Sequence, residues 1–196
     1  IPVTVGDKIE KMINSKVKRK LFEVVSNPEF LREGDAIRDF RFPDRIVIGT
    51  DNNKVIKILA NLYAPIVKKR SIYFTTSRRA AELIKYASNA FLATKISYIN
   101  EIANLCEKAG INTEDISIGM GLDKRIGSRF LRTGPAYGGS CLPKDTNALV
   151  AIGKKFKGSL LSKVPLSSTS KTPFSGCPGL CVAEHSGHNI NSGLIS

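Results

Sequence analysis

Arg45-Ile46-Val47-Ile48-Gly49 is a short apolar run, rich in β-branched residues and closed by glycine, and its surroundings decide the fold. Asp51 or Asn52 stands ready to cap a helix in which Val55, Ile58, Leu59 and Leu62 share a face, up to Pro65. Ser71-Ile72-Tyr73-Phe74-Thr75 then reads as a further strand, and strand–helix–strand alternation of this kind predicts a parallel sheet of the α/β class. Upstream, Gly6–Lys20 carries Ile9, Met12, Ile13 and Val17 at helical spacing. Leu21-Phe22-Glu23-Val24-Val25 reads as another strand, stopped by Ser26-Asn27-Pro28.

The longest predicted element runs from about Arg79 to Lys108, with Gly110 past its end as a C-cap. At 1.5 Å per residue it spans roughly 45 Å, a length suited to joining two domains. Leu83, Ile84, Ala87, Phe91, Thr94, Tyr98, Ile102 and Leu105 recur at three- and four-residue steps, which predicts one packed stripe. Lys85 and Asn89 stand four apart on another face. A further helix starts near Thr113-Glu114-Asp115, and glycine-rich loops lead on to Tyr137-Gly138-Gly139-Ser140-Cys141-Leu142-Pro143-Lys144-Asp145.

The 196 residues carry 30 Lys and Arg against 17 Asp and Glu, a net charge of +13. Despite that excess, with one dense cluster at Lys16, Lys18, Arg19 and Lys20 and a looser one at Lys68, Lys69, Arg70, Arg78 and Arg79, the chain shows no zinc-finger, RRM, KH or homeodomain pattern, so no nucleic-acid partner is expected. The basic residues read as solvated helix faces that help attract a small anionic substrate. No apolar run is long enough to span a membrane. The start, Ile1-Pro2-Val3-Thr4, has neither a basic nor an apolar leader region, so no signal peptide is expected; it reads like the inside of a longer protein. Four cysteines, Cys106, Cys141, Cys177 and Cys181, are too few for a disulfide scaffold and favour a reducing, cytoplasmic setting.

From Ser159 on, Lys163, Lys171 and Glu184 are the only full charges, and Ser, Pro and Gly dominate; such a stretch predicts a disordered tail. Its abrupt change of composition is what a shifted reading frame produces. Cys177, Cys181, His185 and His188 supply zinc-type ligands, but at a spacing of no common structural site, so no metal is expected.

Cys141 is the most suggestive residue for chemistry. Two glycines before it allow close backbone approach to a ligand, and Lys144 and Asp145 follow within four positions. A nearby cation favours a nucleophilic thiolate. Cys106, on the apolar side of the long helix, reads as a small core residue.

Taken in order, Asn27-Pro28-Glu29-Phe30-Leu31-Arg32-Glu33-Gly34, Pro43-Asp44-Arg45-Ile46-Val47-Ile48-Gly49, Ala81-Glu82-Leu83-Ile84-Lys85-Tyr86-Ala87-Ser88-Asn89-Ala90-Phe91 and Gly138–Asp145 resemble the nucleotide-sugar dehydrogenase family over about residues 1–157. The Glu29–Gly34 form is most similar to the UDP-glucose branch rather than the UDP-N-acetylmannosamine or GDP-mannose branches. The resemblance implies an α/β fold in three parts. Residues 1–77 would be the C-terminal part of a Rossmann-like NAD-binding domain with a partial parallel sheet. Residues 78–157 would hold the long connecting helix and an all-helical central dimerisation region with the catalytic cysteine loop, and 158–196 an unrelated disordered tail.

The same resemblance implies NAD as cofactor, UDP-glucose as substrate and a homodimer formed through the long helix and the helical region. Cys141 would add to a C6 aldehyde to give a thiohemiacetal, later oxidised to a thioester. Lys85 would stabilise the oxyanion, and Asn89 would hold the sugar oxygen or a water. Asp145 and Glu29 would act as acid/base and water-activating carboxylates. Glu33 and Lys144 would touch the dinucleotide. Phe30, Leu31, Phe130, Leu131 and Gly138 would line the sugar-nucleotide site together with Lys85 and Asn89, and Arg125 would reach a neighbouring subunit's site. The glycine-rich pyrophosphate turn of the family has no counterpart in the sequence; Gly119 and Gly121 lack a third glycine. The alternative reading is therefore a non-catalytic remnant that folds or dimerises, and the chain alone is expected to be inactive.

Overall fold

The computed structural model describes residues 2–17, 21–67, 72–134 and 139–157. Helix α1 (Val5–Asn14) is followed by the short α2 (Ala36–Arg41), strand β1 (Arg45–Gly49), α3 (Asn53–Tyr63), strand β2 (Ile72–Thr76), the long α4 (Arg78–Ala109), α5 (Thr113–Gly121) and α6 (Cys141–Lys155). β1 and β2 pair in parallel, with Ile46 opposite Tyr73 and Ile48 opposite Thr75. The connection through α3 makes this a β–α–β unit, as the sequence alternation predicts.

Strand β1 is covered on both sides, whereas Ile72 and Phe74 of β2 stay exposed. On one, the Tyr73 hydroxyl reaches the Ile56 carbonyl of α3 at 3.5 Å. On the other, Gly49 meets α4 so closely that a β-carbon there would lie 2.5 Å from Ala81 Cβ and 2.9 Å from Arg78 Cα. Ile46, Val47 and Ile48 are consequently buried, Ile48 completely. Asn52 caps α3 by accepting the Lys54 N–H at 3.0 Å, Ser77 caps α4 through Ala80 N–H, and Asn112 caps α5 through Glu114 N–H. Gly110 ends α4 in the left-handed conformation that glycine tolerates best.

Several local expectations are corrected. Leu21–Val25 forms no strand. It approaches β1 only through a bridge in which Ser26 and Gly49 exchange both backbone hydrogen bonds, and Asn27 Nδ2 then donates to the Val47 carbonyl at 2.8 Å. Pro28, without an N–H, cannot prolong such a ladder. Helix α1 stops at Asn14 rather than Lys20, where Ser15 turns its hydroxyl back to the Met12 carbonyl. On α3, Ile58 and Leu62 face outward, and the half-buried positions are Val55, Ile56, Leu59, Ala60 and Tyr63.

The largest correction concerns α4, 32 residues and about 48 Å long. The expected packed stripe is not the packed one within this chain: Phe91, Tyr98 and Leu105 are at least half exposed, and Leu83 is exposed as well. The buried face carries Ala81, Glu82, Tyr86, Asn89, Ala90, Ala93, Ser97, Ile99 and Cys106. Small side chains on that face allow α6 and β1 to approach the helix closely. Cys106 is a core residue, as expected. The C-terminal tail, with its cysteines and histidines, lies outside the described residues.

Candidate active site

Two helices and one loop build the site. Lys85 and Asn89 follow one another by a turn on α4. Cys141 is the first residue of α6, so Asp145 stands one turn behind it on the same side. Glu29 and Phe30 come from the segment after Pro28.

Asp145 is only 2% exposed, and a carboxylate so placed requires partners. It has them: Asn89 Nδ2 donates to Oδ2 at 2.6 Å, and Lys144 Nζ lies 3.3 Å from Oδ1. The Asp145 carboxylate in turn holds the Lys144 ammonium above its usual range, with Cys141 adding a smaller push in the same direction. Asn89 is therefore a buried amide rather than a surface one.

Lys85 Nζ donates to Glu29 Oε1 at 3.1 Å, while the other carboxylate oxygen accepts the Leu31 N–H at 2.7 Å. Burial works to raise the Glu29 carboxyl, but the Leu31 amide and the Lys85 ammonium outweigh it and hold the group below its ordinary value. Glu29 thus caps its own turn and also holds the lysine. The Lys85 ammonium also lies 5.5 Å from the Phe30 ring centroid.

Cys141 is exposed at the N-terminal end of α6, with Ser140 Oγ 3.9 Å from its sulfur. The N-terminal end of a helix carries partial positive charge, so this placement favours negative charge near the sulfur. Burial, with the Asp145 charge adding to it, pushes the nearby Tyr86 phenol up. Close by, Glu33 Oε2 would lie 3.3 Å from a β-carbon on Gly139, whose φ of +79° suits glycine.

The remaining expected residues scatter. Leu31 is exposed, whereas Leu131 is fully buried and its carbonyl accepts the Ser117 hydroxyl at 2.8 Å. Phe130 adopts a positive φ of 65°. Arg125, itself exposed, forms a fork with the half-buried Asp123, its three guanidinium contacts falling within 3.1 Å. Gly138 lies outside the described residues. Among the described residues no group of three or more His, Cys, Asp or Glu side chains is arranged to hold a metal.

These motifs align with known proteins along most of the chain. Residues 1–67 match the NAD binding domain of the UDP-glucose/GDP-mannose dehydrogenase family, and residues 79–165 match its central domain. The chain belongs to the UDP-glucose/GDP-mannose dehydrogenase family. It is 55% identical over 152 residues to a UDP-glucose 6-dehydrogenase of Rhizobium meliloti, covering 76% of this chain and 35% of that protein. With a UDP-glucose 6-dehydrogenase of Bacillus subtilis it shares 54% identity over 153 residues, covering 78% and 34%. A UDP-glucose dehydrogenase structure from Pyrobaculum islandicum superposes with a TM-score of 0.79 at 39% identity, over 85% of this chain and 38% of that one. A GDP-mannose dehydrogenase from Pseudomonas aeruginosa superposes less closely, with a TM-score of 0.59 at 30% identity, over 84% and 38%. This family member spans about a third of the length of the curated relatives it matches.

The sequence reading of this dehydrogenase-family chain missed a second polar cluster beside the site. Glu82, 4% exposed, accepts the Thr4 N–H at 2.8 Å and the Gly6 N–H at 3.0 Å, so that a carboxylate sits at the N-terminus of α1. Next to it Arg78 reaches Asp7 at 2.6 Å, Glu10 at 2.7 Å and the Val24 carbonyl at 3.1 Å. A charged residue inside the apolar run Ala80-Ala81-Glu82-Leu83-Ile84 was the available signal.

Proposed function

We propose that this chain supplies the nucleophile-bearing part of an NAD-dependent UDP-glucose 6-dehydrogenase, which oxidises the sugar C6 from alcohol to carboxylate. The observation that carries the proposal is the junction of α4 and α6, where Asn89 holds Asp145 at 2.6 Å and Cys141 stands one turn ahead on the same helix. Cys141 attacks the C6 aldehyde, and its sulfur is both nucleophile and, at the thioester stage, leaving group when water cleaves the bond. Lys85 stabilises the oxyanion of the sulfur adduct, and Asn89 orients the sugar oxygen or a water against Asp145. Glu29, kept ionised by Lys85 and the Leu31 amide, activates the hydrolytic water while Asp145 moves the proton at the sugar oxygen.

Two of the residues present offer contacts to a dinucleotide, although the glycine-rich turn for its pyrophosphate has no counterpart in this sequence. The Glu33 carboxylate beside Gly139 offers an acceptor for ribose hydroxyls, and the exposed Lys144 ammonium a charge for phosphate. When bound, an NAD would supply the acceptor for one hydride, so the two oxidations would use two NAD in turn. Phe30, Leu31, Phe130, Leu131 and Gly138 would border the sugar nucleotide, with Arg125 offered to a neighbouring copy. The exposed stripe of α4, Leu83, Phe91, Tyr98 and Leu105, would pack against a second copy, which sedimentation equilibrium tests.

The deciding assay is NADH formation from UDP-glucose and NAD, beside Cys141→Ser. Two NADH per sugar, stalled in the variant, carries the proposal. No NADH above that control overturns it for the chain alone and leaves a non-catalytic family member.

A further inference from the structure

We propose that Arg45 is a positioning residue for Lys85, acting through the ring of Phe30; the importance of that task rests on the function proposed above for Lys85. Arg45 opens β1, and because alternate strand residues share a face, its side chain lies on the side of Val47 and Gly49. That is the α4 side, since Gly49 touches Ala81 and Arg78. Lys85 stands seven residues along α4 from Arg78, about 10 Å. Arg45 stands four residues back along the strand from Gly49, about 13 Å. Strand and helix thus bring the two cations toward one place, and Phe30 occupies it.

The distances define a chain of support. Arg45 Cζ lies 3.9 Å from the Phe30 centroid, at stacking distance, and Lys85 Nζ lies 5.5 Å from the same centroid. Glu29, the residue before Phe30, takes the Lys85 ammonium at 3.1 Å. Two adjacent residues therefore hold one ammonium, one by charge and one by the ring's negative face. Lys85 has four rotatable side-chain bonds, so a charge partner alone leaves its direction loose. A ring fixed by a planar guanidinium narrows that freedom, and a lysine at position 45 cannot stack in the same way.

The test observes Lys85 directly. Reductive methylation of the full chain with ¹³C-formaldehyde keeps every lysine charged, and Lys85→Arg identifies the Lys85 signal. With the ring beside it, that signal should lie upfield of the exposed lysines. Phe30→Leu should abolish the displacement, Arg45→Gln should remove about half of it or more, and Arg45→Lys should not restore it. The Lys95 signal, whose ammonium bonds the Ile126 carbonyl at 3.0 Å away from this cluster, should stay in place and reports an intact fold. An unchanged Lys85 signal in Arg45→Gln, or full restoration by Arg45→Lys, overturns the proposal. Failure of the proposed function shows elsewhere, as NADH formation that is absent or indifferent to Lys85→Arg, and leaves the resonance test intact.

Discussion

The two long faces of α4 differ in a way that hydrophobicity alone would reverse. One holds Glu82, Tyr86 and Asn89 among alanines and is buried; the other holds Leu83, Phe91, Tyr98 and Leu105 and is exposed. Small residues let β1 and α6 approach the buried face, and each buried carboxylate there is met by donors: backbone amides at Glu82, Asn89 at Asp145. The buried face is thus the less apolar one, and the more apolar face is exposed.

That contrast is best broken where packing is tightest. Gly49→Val would drive a side chain into Ala81 and the α4 backbone, and should cost about 3 kcal/mol in denaturant unfolding. Losing less than about 1 kcal/mol would show that α4 gives way easily. Next comes Asn89→Leu, which leaves the buried Asp145 without its closest donor and should cost about 2 kcal/mol by the same measurement.

A gain is expected at Thr4. This β-branched residue has a φ of 80°, its amide held by Glu82, and Thr4→Gly should stabilise the chain by about 1 kcal/mol, seen as a raised melting temperature. A smaller effect belongs to acid. The Glu29 carboxyl is lowered in the folded chain, so the stability it contributes is fully present above its ordinary value and is lost as pH falls through the lowered one. Melting curves from pH 7 down to about 3 should therefore converge for the wild type and Glu29→Gln at the acid end and separate at neutrality. On the opposite face, Phe91→Ser should change monomer stability by no more than about 0.5 kcal/mol while weakening self-association in sedimentation.

Much of the fold was legible locally. The run Arg45–Gly49 became β1 over those same residues; the long helix, its Gly110 cap and the Asn52 cap needed only short-range signals. Leu21–Val25 shows the limit of such signals: its β-branched residues fit a strand, yet only Ser26 finds a pairing place beside Gly49. For the candidate site, the motifs named Glu29, Lys85, Asn89, Cys141 and Asp145, but spacing could not pair them. Asn89 with Asp145, and Glu29 with Lys85, are each 56 residues apart.

The sequence by itself determined the family, the β–α–β unit, the Asn52 and Gly110 caps and the residue types available for chemistry, because capping, periodicity and turn formation depend on neighbours a few positions away. Tertiary structure alone decided which face of α4 is buried, that Glu82 closes the N-terminus of α1, and that Arg45 stacks on Phe30 beside Lys85. Those outcomes depend on how closely distant segments approach. Such approach is set by small residues such as Gly6, Gly49 and Ala81, and by whether buried polar atoms find partners.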